Sequence, residues 1–171
     1  WDWADQSIYD AADIKAGTLQ VEGMNKYRTG YDYPGPHQGN FVNNGLVTAD
    51  RAWSPELTEV KHIYAYIKKR EFNKNTKTLT IKNTYNFITL DQFFLKYSIL
   101  KDGEVVETAE IALEATAPGK TADIEIPYNT TPEGDSEYCI NFEFCVKDGC
   151  SWAEVGYPVA AFQDIIQKRS Y

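Results

Sequence analysis

The chain has 171 residues, with 25 acidic side chains against 17 basic ones and a net charge of −8 at pH 7. A phosphate backbone needs a concentrated positive face, and the one local basic cluster, Lys68-Lys69-Arg70, is followed at once by Glu71, so neither a nucleic acid nor an anionic membrane is expected as a partner. An apolar content of 43% with 14% aromatic residues excludes a disordered chain, and no apolar run approaches the roughly 18 residues that span a bilayer.

The chain opens Trp1-Asp2-Trp3 with neither an initiator methionine nor a targeting segment, which leads us to expect a piece of a longer soluble protein, its compartment left open between cytoplasm and periplasm. Residues 1–50 hold much of the glycine and proline and show little periodicity. Tyr31-Asp32-Tyr33-Pro34-Gly35-Pro36-His37-Gln38-Gly39 is too rich in both for helix or central strand and reads as a loop. A loop of this length in a folded protein is usually functional or well supported.

A connecting segment, 51–65, comes next. Ser54 is a good N-cap and Pro55 suits the first helical position; Leu57, Val60 and Tyr64 recur at helical spacing, so a helix is expected over 55–65.

From residue 66 the period changes to two. Leu79, Ile81 and Tyr85 alternate with polar residues, as do Leu95, Tyr97 and Ile99. Lys101-Asp102-Gly103-Glu104 marks a hairpin turn, because glycine accepts the positive φ such turns need. Val105, Ala109, Ile111 and Leu113 continue on the return strand, Pro118-Gly119 turns again, and Ala122, Ile124 and Ile126 alternate with acidic residues. Tyr138, Ile140, Phe142, Phe144 and Val146 form the cleanest half-buried strand, with Cys139, Asn141, Glu143 and Cys145 on its other face. A last strand is expected over roughly 151–167, containing Trp152, Val155, Val159 and Phe162. Seven or eight short strands with turn signals between them imply a mainly β fold, an antiparallel two-sheet sandwich over 66–171.

Three cysteines, Cys139, Cys145 and Cys150, do not make a disulfide framework. Cys145 and Cys150 flank a turn and are close enough in sequence to pair, although free thiols are the expected state. Neither His37 nor His62 stands at zinc-site spacing from a cysteine.

No complete catalytic set is visible. The carboxylates of Glu104, Glu107, Glu110, Asp123, Glu125 and Glu143 fall on outward strand faces and read as solvated. The first six residues differ, crowding two indoles and two carboxylates together. Indoles stack on sugar faces and carboxylates accept from sugar hydroxyls; the competing reading is a terminal strand with core tryptophans.

Three ordered stretches carry a resemblance. Trp1-Asp2-Trp3-Ala4-Asp5-Gln6-Ser7 resembles the Trp-Asp-Trp-Val-Asp-Gln stretch of family 2 glycoside hydrolases of the β-galactosidase type. Phe41-Val42-Asn43-Asn44-Gly45-Leu46-Val47-Thr48-Ala49-Asp50-Arg51 resembles their Asn-Gly-Leu-Val-Phe-Ala-Asp-Arg stretch, and Ser54-Pro55-Glu56-Leu57-Thr58-Glu59-Val60-Lys61 resembles the His-Pro-Ala-Leu-x-Glu-x-Lys segment after it. A weaker likeness runs on to Trp152-Ala153-Glu154-Val155-Gly156. The resemblance implies that residues 1–50 are the end of a (β/α)8 barrel with its active-site loop, that 51–65 connects, and that 66–171 is an immunoglobulin-like sandwich. It implies that Trp1 is a platform for galactose and that Asn44 contacts substrate. Asn44 and Phe41, the latter through its carbonyl, would be ligands of a sodium ion, with magnesium elsewhere in the parent. The other partners implied are a β-galactoside and further domains of the same chain, in a parent that is compatible with oligomer formation. No catalytic residue is expected here: the two glutamates of retaining hydrolysis precede this stretch in the family, so the fragment alone should be inactive. The chain departs from the family at Thr29–Gln38, where Gln38 replaces a usual aspartate, and Ala11–Arg28 has no counterpart. A stand-alone carbohydrate-binding sandwich and an interaction module are the alternatives.

Overall fold

Apolar residues at every second position bury one face of a strand, and this pattern builds the C-terminal part of the chain. The structure is a computed structural model that describes residues 2–9, 12, 27–32, 34–39 and 41–170. The chain forms two units, Trp1–Ile63 and Tyr64–Tyr171.

The second unit contains seven strands among the described residues: β1 (Ile67–Asn73), β2 (Thr78–Asn83), β3 (Phe93–Lys101), β4 (Glu104–Ala112), β5 (Thr121–Glu125), β6 (Tyr138–Val146) and β7 (Pro158–Gln167). They form two antiparallel sheets, ordered β1-β2-β5 and β4-β3-β6-β7. The chain therefore crosses between sheets at β2–β3, β4–β5 and β5–β6, the connectivity of an immunoglobulin-like sandwich.

Alternation explains the core. Phe93, Leu95, Tyr97 and Ile99 of β3 lie beside Ile140, Phe142 and Phe144 of the neighbouring β6 and share one buried cluster with Leu79 and Ile81 of β2 in the other sheet. Phe72 of β1 meets Phe142 of β6 edge-on, with ring centroids 5.1 Å apart, so an aromatic contact links the two sheets. Each such side chain contributes roughly 1.5–3 kcal/mol by leaving water. At one flank Lys69 of β1 pairs with Asp164 of β7, and the Lys74 ammonium donates to the Ile166 carbonyl at 2.9 Å.

The β3–β4 hairpin is closed by Asp102 (φ 48°) and Gly103 (φ 90°), two left-handed residues that match the twist of the strands. At the end of β2 the fully buried Asn83 donates to the carbonyls of Ile88 and Thr116, both at 2.9 Å, and accepts from the Tyr85 N–H at 2.9 Å.

Several expectations need correction. Tyr85 does not extend β2: the strand ends at Asn83, and Tyr85 is stacked between Tyr66 and Phe93 at 4.8 and 5.5 Å. The last strand starts at Pro158 rather than near 151; Gly156, with φ 86°, lies in the turns before it. Trp152 and Val155 are consequently 67% and 65% exposed. A register shift opposite Ile99–Leu100 leaves Val105 and Val106 on the surface. Another irregularity between Phe144 and Cys145 accompanies burial of Cys145; the three cysteines are free thiols, with Cys150 exposed.

The helix α1 runs over Pro55–Tyr64, at the end of the first unit. The Ser54 hydroxyl accepts the Leu57 N–H at 3.2 Å, the cap read from the sequence. Leu57 and Val60 are half-buried while Tyr64 is exposed, so the stripe expected to include Tyr64 is shorter.

Candidate functional site

Two of the motif stretches are brought together in the first unit. Asp2–Asp5 runs alongside Gly45–Val47. The Leu46 N–H donates to the Asp2 carbonyl at 3.3 Å, the Val47 N–H to the Trp3 carbonyl at 3.0 Å, and the Asp5 N–H to the Val47 carbonyl at 2.9 Å. Ala4 and Val47 form a parallel bridge, and the Gln6 N–H reaches the Val42 carbonyl at 2.8 Å. Parallel neighbours need a long connection between them, and residues between the two motifs supply it.

Gly45 is required by this approach. A Cβ there would lie 2.3 Å from the Asp5 nitrogen and 2.4 Å from the Ala4 carbonyl carbon, closer than atoms can come. The Gly45 N–H donates to the Asp5 carboxylate at 2.7 Å. One oxygen of the Asp5 carboxylate is thus engaged by backbone. The Asp2 carboxylate accepts the Gln6 amide at 3.3 Å. The signal that could have revealed the Asp5 contact is a glycine within a β-like run, which marks close backbone approach.

Phe41 and Asn44 lie in one turn. The Phe41 N–H donates to the Gln38 carbonyl at 3.2 Å, and the Asn44 amide donates to the Phe41 carbonyl. The Phe41 ring is 71% exposed. The oxygen Oδ1 of Asn43 is buried with no hydrogen-bond partner. Trp1 lies outside the described residues, and the Trp3 indole is exposed.

The loop before this turn is closed on itself, the Gly30 N–H donating to the Gly39 carbonyl at 3.0 Å. His37 Nδ1 accepts the Gly39 N–H at 3.1 Å, and its ring stands edge-on to Tyr31 at 5.0 Å. Gly39 has φ +60° and would place a Cβ 2.5 Å from the Tyr31 ring. Behind Val47, the turn to Trp53 is held by Asp50, whose carboxylate accepts the Tyr27 hydroxyl at 2.7 Å and the Thr48 hydroxyl.

Hard cations take oxygen ligands. Among the described residues no group of three His, Cys, Asp or Glu side chains is placed to hold a metal ion, so a cation at this turn would draw on carbonyl and amide oxygens. In this turn the Asn44 amide nitrogen donates to the Phe41 carbonyl, and the buried Asn43 oxygen has no hydrogen-bond partner; the Asn44 amide would have to turn over for its oxygen to serve a cation beside that carbonyl.

In the sandwich, Glu107 corrects the reading of the carboxylates as solvated. It is half-buried and accepts the N–H groups of Asn129 (2.9 and 3.1 Å) and Thr130 (2.8 Å), together with the Thr130 hydroxyl (2.5 Å). Burial pushes its carboxyl up, but the Thr130 and Asn129 hydrogen bonds and the Lys77 charge outweigh that and hold it below its ordinary range. Lys77 itself donates to the Tyr128 carbonyl at 2.6 Å and lies over the Tyr128 ring. The group ties a loop to β4, and nothing about it resembles a reaction centre.

The chain is 30% identical over 166 residues to a β-galactosidase of Vibrio vulnificus (strain YJ016), covering 95% of this chain and 15% of that protein. It is 31% identical over 173 residues to a β-galactosidase of Clostridium acetobutylicum, covering 99% and 18%, and 30% identical over 171 residues to one of Streptococcus thermophilus, covering 99% and 15%. The chain therefore spans less than a fifth of the length of these relatives. Residues 79–167, from β2 through β7, match the family described as "Beta-galactosidase, domain 4", and with that match over the sandwich the chain belongs to the β-galactosidase family.

Proposed function

We propose that this chain works as a segment of a longer retaining β-galactosidase. In that protein residues 1–50 are the end of the catalytic barrel and form part of the galactose subsite, and the sandwich is a structural domain. Trp1 is the stacking platform for the sugar, and Asn44 is a polar contact to it. Asn44 and the Phe41 carbonyl hold a sodium ion, which supplies a fixed positive charge near a sugar hydroxyl. The two catalytic glutamates lie in other parts of the protein. The observation that carries this reading is the pairing of Asp2–Asp5 with Gly45–Val47, because it brings the segment that follows Trp1 against the turn of Phe41 and Asn44. Barrel enzymes build their sites from such strand ends and the loops that follow them.

The test is hydrolysis of a chromogenic β-galactoside by the longer protein and by this chain of 171 residues, side by side. Activity in the longer protein alone is the expected result. Turnover by the 171-residue chain would place a catalytic centre within it and overturn the reading.

One observation favours a second reading, sugar binding by the sandwich itself. The exposed Trp152 indole is held edge-on to Tyr157 at 6.0 Å. Calorimetric titration of residues 64–171 with galactose would show heat only if that reading holds.

A further inference from the structure

We infer that Asp5 is a positioning residue for the sugar subsite, acting through the Gly45 peptide. This rests on the reading of Trp1 and Asn44 as subsite residues. The carboxylate of Asp5 faces backbone: Oδ1 accepts the Gly45 N–H at 2.7 Å. That N–H belongs to the peptide joining Asn44 to Gly45, so the plane carrying the Asn44 carbonyl is fixed by the bond. Asn44 in turn reaches back to the Phe41 carbonyl. A hydrogen bond to an ionised acceptor is shorter and stronger than a neutral one, and here it spans 40 positions of sequence.

The backbone geometry sharpens the constraint. Asp5 holds both edges of this contact, its N–H bonded to the Val47 carbonyl at 2.9 Å and its carboxylate to the Gly45 N–H. The absent side chain of Gly45 lets the two backbones touch, since a Cβ would stand 2.3 Å from the Asp5 nitrogen. Any shift of the stretch after Trp1 is therefore passed to the turn of Asn44. One carboxylate thereby holds the stretch Asp2–Asp5 against the turn of Asn44, two segments far apart in sequence. Misplacing subsite groups by about 1 Å costs on the order of a hundredfold in rate.

The test uses the longer enzyme carrying Asp5→Ala, Asp5→Asn and Asp5→Glu. Asp5→Ala removes the acceptor, and its KM for a chromogenic β-galactoside is expected to rise about tenfold or more while kcat changes less. Asp5→Asn keeps an oxygen at the same place and should restore KM to near the parental value. Asp5→Glu moves the carboxylate out by one methylene and should raise KM in a protein that melts normally; it decides the matter if Asp5→Ala does not fold. An unchanged KM in Asp5→Ala or Asp5→Glu overturns the inference. So does Asp5→Asn damaged as badly as Asp5→Ala, or a loss that only follows the melting temperature. Asn44→Ala is measured in parallel: if it leaves KM untouched, the subsite reading itself fails, independently of Asp5.

Discussion

The side-chain amide of Asn83 donates to the Thr116 carbonyl at 2.9 Å, joining the end of β2 to a loop 33 positions later in the chain. The same amide donates to Ile88, its oxygen accepts from Tyr85, and its backbone groups pair with Lys120 and Gly119. Asn83 is fully buried, and its side-chain partners at Ile88, Thr116 and Tyr85 are half-buried. Asn83→Ala would orphan two carbonyls and an N–H, each costing about 1–3 kcal/mol. A loss of about 3 kcal/mol or more is expected, read as an earlier midpoint in urea unfolding. Asn83→Asp should do no better, because a carboxylate would face the two carbonyl oxygens.

Acid sensitivity should come from two carboxylates at one end of the sandwich's second sheet. Asp102, in the β3–β4 turn, is held down to about 2 by the Glu137 N–H first and then by Arg169 and Ser136. Glu107 is also held below its ordinary value. A group whose folded pKa is depressed stabilises the protein above its unfolded pKa, and that contribution disappears as pH falls through the folded pKa. For Asp102 the window runs from the ordinary 3.8 down to about 2. Unfolding midpoints measured across that range should fall with pH in the parent chain. They should fall less steeply in Asp102→Asn; an equally steep fall would show that the Arg169 and Glu137 contacts are not made in solution.

Much of the sandwich was legible because its signal is local. Strict alternation placed β3 and β6, and the Asp102-Gly103 pair placed the β3–β4 hairpin, since period and turn chemistry are written in neighbouring residues. What was not legible depends on pairing across the sheet. The irregularities near Ile99 and Phe144 accompany Val105 and Cys145 on faces the period alone did not foresee. Glu107 looks like any surface glutamate until the loop at Asn129 and Thr130 folds over it. The candidate site was indicated by motif stretches at both ends of the first 50 residues. That they pair in parallel, and that Asp5 faces Gly45, follows from a contact between distant segments that no periodicity encodes.

Trp152 separates these two kinds of information. The sequence puts it in the last strand; in the structure it lies in the turns before that strand, 67% exposed and touching Tyr157 edge-on. Its removal loses little burial, so Trp152→Ala should cost about 1 kcal/mol or less. Phe142 has no exposed surface and packs on Phe72 from the opposite sheet. Phe142→Ala should cost about 3–5 kcal/mol. Denaturant unfolding of the two variants gives both numbers, and comparable losses would mean that the 150–157 turn is packed inward in solution.

Gly45→Ala isolates the close approach from the hydrogen bond. The added methyl would meet backbone atoms of Ala4 and Asp5 at 2.3–2.8 Å, and neither can rotate away as a side chain could. The two segments must separate, which breaks the bonds from Val47 to Trp3 and from Asp5 to Val47. The amide hydrogens of Asp5 and Val47 should then exchange at least about tenfold faster than in the parent chain, since each 1.4 kcal/mol of lost protection is tenfold in the opening equilibrium. Amides of Leu95 and Phe142, in the sandwich core, report on the other unit and should keep their rates. Unchanged exchange at Asp5 and Val47 would mean that the backbones are not in contact at Gly45, and the chain that follows Trp1 would then have no fixed position relative to the Asn44 turn.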